Sequence, residues 1–272
     1  MSTCQVEGSE LFYTEVGTGL PCLVMHGGLG FDHTYLHPWL DALGDRMRLV
    51  YYDHRGNGRS GRPPIATLNH DQLAADADAL RRHLDLGRIG VLGQSYGGFI
   101  ALEYALRYPQ HLTHLILIGT APALDYMDEV RANARRRGAT AEMLAALETV
   151  PDTDEAQARR ASLIAPLYWH AFDPEYADRV FANTVYSASA SARARVLRQA
   201  YNVVARLPEI RVPTLIIAGR DDFICPPAQA ERLHAGIPHS ELVVFDRSGH
   251  FPFLEEPAAF FDAVRGWLSR VS

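Results

Sequence analysis

The sequence predicts a doubly wound α/β fold with a mostly parallel sheet and one helical insertion. Short apolar runs bounded by Gly, Pro or Asp recur along the chain and predict strands. Several are apolar at successive positions, which is typical of parallel strands covered by helices on both faces. Helix-length segments separate the strands, and this alternation indicates a doubly wound sheet. The predicted strands are LFYTEV at 11–16, CLVMHG at 22–27, RLVYYD at 48–53, IGVLGQS at 89–95, LILIG at 115–119, TLIIAG at 214–219 and ELVVF at 241–245. The clearest predicted helices are at 68–86, 99–108 and 226–235.

Between residues 125 and 206 the strand signals stop. Helix-length segments rich in Ala, Arg and Glu follow one another and are interrupted at Pro151, Pro166 and Pro174. The chain leaves the sheet here at the carboxyl ends of the strands, where open α/β sheets bind ligands, so we expect a lid over the site. A helical domain without a role in catalysis is the alternative. The predicted division is a core at 1–124, a helical cap at 125–206 and the rest of the core at 207–272.

Composition narrows the class of protein. Hydrophobic residues make up 47% and charged residues 21% of the 272 residues, which is ordinary for a globular protein. A net charge of -6 argues against binding to nucleic acid or to an anionic membrane. The chain has no apolar segment of the ~18 residues that a membrane span needs. An odd number of widely spaced cysteines, Cys4, Cys22 and Cys225, indicates neither disulfides nor a metal site and leads us to expect a cytoplasmic protein.

The strongest motif is GQSYGG at 93–98, which lies between a strand pattern and a helix pattern. A G-x-S-x-G turn in this context exposes its serine at the amino end of the helix, whose partial positive charge favours a developing anion. Gly93 and Gly97 permit the tight turn. Ser95 is therefore the predicted nucleophile.

A serine hydroxyl is a poor nucleophile at neutral pH and needs a base within hydrogen-bonding distance. Among twelve histidines, His250 follows the last predicted strand in the segment SGHFP and precedes a terminal helix pattern, so we expect it at the catalytic edge of the sheet. His26 opens a glycine turn and is expected to brace that turn.

The third member of a triad should be an acid after a late strand. Asp221 and Asp222 both follow the strand at 214–219, and the chain order Ser, Asp, His holds for either. The acid holds the imidazole in the useful tautomer and stabilises the imidazolium.

Two backbone N–H groups are needed to stabilise the oxyanion that forms on attack at a carbonyl. One is the amide of Tyr96, directly after the nucleophile. The other should come from the glycine turn VMHGGLG at 24–30, where Gly28 is the first choice and Gly27 and Leu29 are alternatives.

Together these motifs resemble the α/β-hydrolase superfamily, in the branch that contains prolyl aminopeptidases and related esterases and lactonases. The matching segments are HGGLG at 26–30, DHRGNGRS at 53–60, GQSYGG at 93–98, GRDD at 219–222 and GH at 249–250. The resemblance implies a mostly parallel doubly wound sheet with a helical lid inserted after the sixth strand. It also selects Asp222 as the acid, since the family's acid stands three residues after the glycine that ends its strand. It further implies that Asp53 and Arg55 brace loops.

The insertion is rich in aromatic residues around 168–186, which could line a pocket for an acyl chain. Aromatic packing of the insertion onto the core is the alternative. The candidate substrate-binding residues are Phe31, Tyr168, Trp169, Phe172 and Phe251.

These residues predict a serine hydrolase of carboxylic esters or lactones that needs no metal and no organic cofactor and acts on a small molecule. The resemblance extends this to N-acyl homoserine lactones. The first alternative is a prolyl aminopeptidase, for which Glu175 and Asp178 would grip the substrate amine. Leu29 stands where those enzymes usually have proline. The second alternative is a non-catalytic receptor or scaffold.

Overall fold

The computed structural model describes residues 2–271, which contain an eight-stranded sheet. Its strands are β1 Ser2–Val6, β2 Ser9–Val16, β3 Leu20–Met25, β4 Met47–Tyr52, β5 Ile89–Gln94, β6 Leu112–Ile118, β7 Thr214–Gly219 and β8 Ser240–Phe245. The strand order is β1-β2-β4-β3-β5-β6-β7-β8. Strand β2 pairs antiparallel with β1 and β4, and the remaining neighbours are parallel. The prediction of a mostly parallel, doubly wound sheet is confirmed.

Helices cover both faces of this sheet. They are α1 His70–His83, α2 Tyr96–Arg107, α3 Met127–Arg136, α4 Ala141–Glu148, α5 Asp154–Ile164, α6 Pro174–Phe181, α7 Ala188–Arg198, α8 Pro227–Gly236, α9 Pro252–Glu255 and α10 Pro257–Val271. Neighbouring residues of a strand point to opposite faces. On β5, Val91 therefore joins one core cluster with Ile100 of α2, and Leu92 joins the other with Phe260 of α10. Each such buried side chain stabilises the fold by roughly 1.5–3 kcal/mol.

The sequence did not predict β1, the edge strand that pairs with β2. The five residues of β1 do not alternate clearly between apolar and polar, and Cys4 is the one buried residue of this strand. An edge strand of this kind forms because its backbone pairs with the neighbouring strand. A local sequence pattern does not predict such pairing.

Between β6 and β7 the chain forms the five helices α3–α7, which we call the insertion. Because β6 and β7 are parallel, hydrogen-bonded neighbours, the chain leaves the sheet at the carboxyl end of β6 and, after the insertion, rejoins it beside β6 at the amino end of β7. Its position after the sixth strand agrees with the expectation, while its boundaries as a separate cap stay a prediction. No helix among residues 2–271 is both long and apolar enough to cross a membrane.

Candidate active site

The topology brings two loops together at one point of the sheet. From β3 the chain moves to β4 on one side, and later to β5 on the other, so the direction of winding reverses between β3 and β5. Ligands of open α/β sheets bind at such a reversal, outside the carboxyl ends of the strands. The glycine turn at 26–30 follows β3, and Ser95 follows β5.

Ser95 occupies a strained turn between β5 and α2. Its backbone angles are φ 55° and ψ −120°, a conformation that non-glycine residues rarely adopt. A Cβ at Gly97 would lie 2.0 Å from the carbonyl oxygen of Met25, and one at Gly93 would lie 2.5 Å from the carbonyl oxygen of Gly97. The two glycines are therefore required for the turn, as the motif predicts.

His250 and Asp222 form a buried pair. Nδ1 of His250 lies 2.6 Å from Oδ2 of Asp222, and both residues are almost fully buried. The other oxygen of Asp222 accepts hydrogen bonds from the backbone N–H groups of Ile224, at 3.0 Å, and Cys225, at 2.9 Å. The carboxylate is thus fixed on both oxygens, and its orientation toward the imidazole is set.

The neighbouring carboxylate, Asp221, is directed elsewhere. It is partly exposed and contacts Nδ1 of His170, and Nη1 of Arg137 lies 3.8 Å from it. Of the two carboxylates that the strand pattern left open, the structure brings Asp222 to His250.

Two features that the sequence did not reveal position His250. The carbonyl oxygen of Tyr168, in the insertion, accepts a hydrogen bond of 2.6 Å from the backbone N–H of His250. Gly119 has φ +52°, and a Cβ there would lie 3.1 Å from Nδ1 of His250 and 3.2 Å from Oδ2 of Asp222. A larger residue at position 119 would therefore press on the pair.

The hydroxyl of Ser95 makes no hydrogen bond to another residue in the described range 2–271. Ser95 and His250 nevertheless line the same cavity. In enzymes generally, catalytic hydrogen bonds are often long before substrate binds and tighten in the complex.

In the glycine turn, the structure distinguishes among the three candidate donors. The N–H of Gly27 donates to the hydroxyl of Tyr35 at 2.5 Å, so it is engaged. That hydroxyl donates in turn to Oε1 of Gln94 at 2.7 Å. The amides of Gly28 and Leu29 have no hydrogen-bond partner within residues 2–271, and Gly28 lines the cavity with Ser95. The free amides of Gly28 and Leu29 are thus better placed to donate to a ligand than the engaged amide of Gly27.

The amide of Tyr96, the other predicted donor, opens α2 and also has no hydrogen-bond partner in the described part of the chain. Tyr96 lines a second compartment together with Gly28 and Ser95.

Buried polar contacts brace these loops. The carbonyl of Gly27 lies 2.9 Å from Nδ1 of His26, whose Nε2 accepts from the backbone N–H of His54 at 3.2 Å. Burial lowers the pKa of His26, which favours the neutral form that accepts this bond. Arg55 donates from Nε to Asp76 at 2.5 Å in a buried ion pair. The bracing roles expected of His26 and Arg55 agree with these contacts.

A cavity of about 150 Å³ lies over Ser95. All five predicted substrate-binding residues line it, together with Gly28 and His250: Phe31, Tyr168, Trp169, Phe172 and Phe251. Further aromatic lining comes from Tyr35, Phe181 and Tyr186. Of the two carboxylates weighed for an aminopeptidase, Asp178 lines the cavity, whereas Glu175 is exposed and does not.

Sequence reasoning missed two charged residues near the site. Arg160 of α5 lines the cavity, although arginines on helices of the insertion are usually solvated. Glu255 accepts hydrogen bonds from the backbone N–H groups of Gly249, at 2.7 Å, and His170, at 2.6 Å, and so ties the histidine loop to the insertion. Neither residue belongs to a motif; the contacts depend on distant segments meeting in the fold.

Residues 21–257 match the family model described as alpha/beta hydrolase fold. The chain belongs to the α/β-hydrolase family. This α/β-hydrolase is 28% identical to the proline iminopeptidase PfmaB of Pestalotiopsis fici, over 98% of each chain. It is 30% identical to the putative carbamate hydrolase RutD of Agrobacterium fabrum, over 88% of this chain and 90% of that protein.

Among solved structures, the esterase EaEST of Exiguobacterium antarcticum superposes on this α/β-hydrolase with a TM-score of 0.79 at 24% identity, covering 98% of this chain and 99% of the esterase. That likeness shows the shared fold. Named relatives of this α/β-hydrolase differ in the bond they cleave, so its substrate has to be argued from its own site.

Proposed function

We propose that this protein is a serine hydrolase that cleaves carboxylic esters or lactones through an acyl-enzyme, with Ser95 as nucleophile, His250 as base and Asp222 as the acid. The observation that carries the proposal is the buried His250–Asp222 pair, 2.6 Å apart, at the wall of the cavity that contains Ser95. A buried carboxylate that is hydrogen-bonded on both oxygens can orient the histidine beside the cavity. A carboxylate solvated at the surface could not do so.

In the first step, Oγ of Ser95 attacks the carbonyl carbon of the substrate while Nε2 of His250 takes the hydroxyl proton. Asp222 accepts the hydrogen bond from Nδ1 of His250, which leaves Nε2 free to act as base and stabilises the imidazolium. The carbonyl π electrons move onto oxygen and produce a tetrahedral oxyanion.

The amides of Gly28 and Tyr96 are the proposed donors to that oxyanion. Both amides lack a partner among residues 2–271, and both residues line a compartment that Ser95 also lines. Fixed donors of this kind are worth about 3 kcal/mol each in the transition state. Leu29 remains the alternative to Gly28.

Collapse of the oxyanion breaks the bond to the alcohol, which receives its proton from His250, and leaves the acyl group on Ser95. A water molecule deprotonated by His250 then attacks the acyl carbon, and the free acid departs as Ser95 regains its proton. In a lactone the alcohol and acid are parts of one molecule, so the product is a single hydroxy acid.

The charges around the cavity favour esters and lactones over prolyl amides. An aminopeptidase has to hold a substrate ammonium, which calls for converging carboxylates. Asp178 is the one carboxylate that lines the aromatic cavity in the described chain, and the cation Arg160 lines it too. The prolyl aminopeptidase stays the second candidate because a relative over the full length carries that name.

The aromatic lining supports a finer proposal about the substrate. Rings of Phe31, Phe181 and Tyr186 pack edge to face above the site, with Phe31–Phe181 and Phe31–Tyr186 centroids 6.2 Å and 5.2 Å apart. An apolar wall of this kind suits an acyl chain, as in N-acyl homoserine lactones. The helices that supply Phe181 and other lining residues would act as a lid. Three unpaired, buried cysteines favour a cytoplasmic location as part of the same proposal.

The test is a hydrolysis panel of p-nitrophenyl esters of increasing chain length, N-acyl homoserine lactones and a prolyl arylamide. We expect turnover of esters or lactones by the wild type, little cleavage of the arylamide, and loss of turnover in Ser95→Ala. Ser269→Ala is the matched control, since Ser269 is exposed on α10 and bonds within that helix.

If the prolyl arylamide is cleaved in preference to the esters and lactones, the protein is a prolyl aminopeptidase and the ester proposal is wrong. Absence of turnover on every substrate by folded wild-type protein would favour the non-catalytic receptor. Turnover that survives in Ser95→Ala would reject Ser95 as nucleophile.

A further inference from the structure

The cavity over Ser95 continues into a second compartment of about 300 Å³. Both compartments share Gly28, Phe31, Ser95, Arg160 and Tyr168, so Ser95 stands where they meet. We call the first cavity, with its lining of aromatic rings, the aromatic compartment. A substrate whose carbonyl lies at Ser95 therefore extends one part into the aromatic compartment and the other part into the second compartment.

The second compartment is strongly basic. Its charged lining consists of four arginines and one glutamate: Arg131, Glu148, Arg160, Arg195 and Arg198. Glu148 accepts hydrogen bonds from Arg131 at 2.8 Å and from Arg195 at 3.0 Å. The glutamate is thus already engaged by two of the four cations.

The other two arginines, Arg160 and Arg198, are not paired with an anionic side chain in the described residues. Arg160 donates from Nε to the carbonyl of Ala146 at 2.6 Å, and neither Arg160 nor Arg198 forms an ion pair with a carboxylate in the described part of the chain. Burial, together with the charges of Arg198 and Arg195, lowers the pKa of Arg160. Two partly buried cations that repel each other gain stability when an anion binds between them.

A buried amide faces the same compartment. Gln157, one turn before Arg160 on α5, is 1% exposed and lines the compartment. Its side-chain Oε1 has no hydrogen-bond partner within residues 2–271. An unpaired buried polar group is costly to the fold. The compartment therefore contains two guanidinium groups, of Arg160 and Arg198, that no carboxylate of the described residues neutralises.

We propose that the substrate carries a free carboxylate, bound in the second compartment by Arg160 and Arg198, while its apolar part lies in the aromatic compartment. The substrate class is a monoester of a dicarboxylic acid, or a lactone that bears a carboxylate. Guanidinium groups bind carboxylates through parallel hydrogen bonds, which makes arginine suited to this recognition. The inference rests on the ester-hydrolase proposal above and narrows its substrate to compounds that bear a carboxylate, in place of the uncharged N-acyl homoserine lactones.

The test compares p-nitrophenyl monoesters of glutaric and adipic acid with the same compounds methylated at the free carboxylate. Charge-assisted hydrogen bonds are worth about 1.5–3 kcal/mol, so we expect kcat/KM for the free acids to be about tenfold or more higher. Each of Arg160→Gln and Arg198→Gln should remove most of this preference, through KM for the free acid. Arg198→Lys keeps the charge without the planar fork and should retain part of it.

Arg159→Gln is the matched control, because Arg159 is the exposed neighbour of Arg160 on α5 and the charge change is identical. We expect this variant to keep the preference. Circular dichroism and thermal unfolding of each variant establish that it is folded. Equal turnover of free and methylated esters by the wild type, with turnover lost in Ser95→Ala, would overturn the carboxylate inference while the hydrolase proposal stands.

A binding measurement separates the two proposals if no ester is cleaved. Calorimetry should detect binding of adipate and glutarate to the Ser95→Ala protein. We expect this binding to be about tenfold weaker in the double variant that also carries Arg198→Gln. Binding with this dependence supports the carboxylate site even if hydrolysis fails. If neither adipate nor glutarate binds at millimolar concentration, the carboxylate inference is overturned.

Discussion

At the scale of single residues, the site depends on which oxygen and nitrogen atoms are already satisfied. The carboxylate of Asp222 accepts two backbone N–H groups and faces the imidazole of His250, whereas Asp221 contacts His170 at the surface. A buried carboxylate held in this way keeps the histidine in one tautomer. The two adjacent aspartates therefore differ in role because of burial and partners.

The first prediction compares the two aspartates. Asp222→Asn should lower kcat for a cleaved ester by about 10⁴-fold, because an amide at this position favours the wrong tautomer of the imidazole. Asp221→Asn is the matched control and should change kcat little. Steady-state kinetics with both proteins tests this, and loss of turnover in Asp221→Asn alone would contradict the assignment.

The second prediction concerns Gly119, which has φ +52° and where a Cβ would lie only 3.1 Å from Nδ1 of His250 and 3.2 Å from Oδ2 of Asp222. Gly119→Ala should displace the imidazole and lower kcat by about a hundredfold, since small displacements of catalytic groups have effects of that size. Gly266→Ala, in α10 where a Cβ meets no atom within 4 Å, is the control. Unchanged kcat in a folded Gly119→Ala protein would show that the imidazole tolerates the side chain.

The sequence indicated residues that belong to local motifs and missed those that act across the fold. Ser95 and Gly28 stand in turns whose glycines and flanking strand patterns predict them. Tyr35, Arg160 and Glu255 reach the site from segments with no such signature. Their contacts arise only when distant segments pack together, which a local pattern does not encode.

At the scale of elements, the parallel strands are the best predicted part of the chain. Their residues are buried on both faces, so apolar runs such as those of β5 and β6 stand out against the helices. The edge strand β1 was missed because its exposed residues are polar. Element ends were predicted less well: α2 begins directly after Ser95 at Tyr96, three residues before the predicted start.

The third prediction concerns β6, which contains a buried histidine. His114 is 2% exposed, and its Nε2 has no hydrogen-bond partner in the described residues. Burial lowers the pKa of His114 to about 4, below the value of about 6.5 expected in the unfolded chain. The unfolded state therefore binds the proton more tightly, so the contribution to stability is complete above about pH 6.5 and is lost as the pH falls toward 4.

In wild-type protein this histidine should contribute about 2 kcal/mol to the fall in the free energy of unfolding between pH 7 and pH 5. His114→Gln removes the titrating group, so the fall should be smaller by about that amount. Urea unfolding of both proteins at the two pH values measures it. An equal fall in the two proteins would mean that His114 is protonated in the folded state as readily as in the unfolded chain.

At the scale of the whole molecule, the insertion is joined to the loops of the site on both sides. The N–H of Ser187, before α7, donates to the carbonyl of Gly30 in the glycine turn at 3.1 Å. The carbonyl of Tyr168 accepts from the N–H of His250 at 2.6 Å. Because the insertion bonds to the glycine turn at 26–30 and to the loop that carries His250, its docking and the geometry of the site are coupled.

The insertion also explains why the cavity has two chemically different halves. Its segment around 168–186 supplies aromatic side chains to one compartment, and α5 and α7 supply Arg160, Arg195 and Arg198 to the other. The core contributes Ser95 and Gly28 at the junction. Under the proposed function, the sheet provides the chemistry and the insertion selects the substrate.

The most direct test of the account is covalent labelling by a fluorophosphonate, followed by mass spectrometry of the digested protein. Such a probe reacts with a serine only where a base and an oxyanion site activate it. We expect a single adduct on the peptide that contains Ser95, no adduct in Ser95→Ala and much slower labelling in Asp222→Asn. An adduct that persists in Ser95→Ala, or folded wild-type protein that does not react, would contradict the assignment of Ser95 as an activated nucleophile.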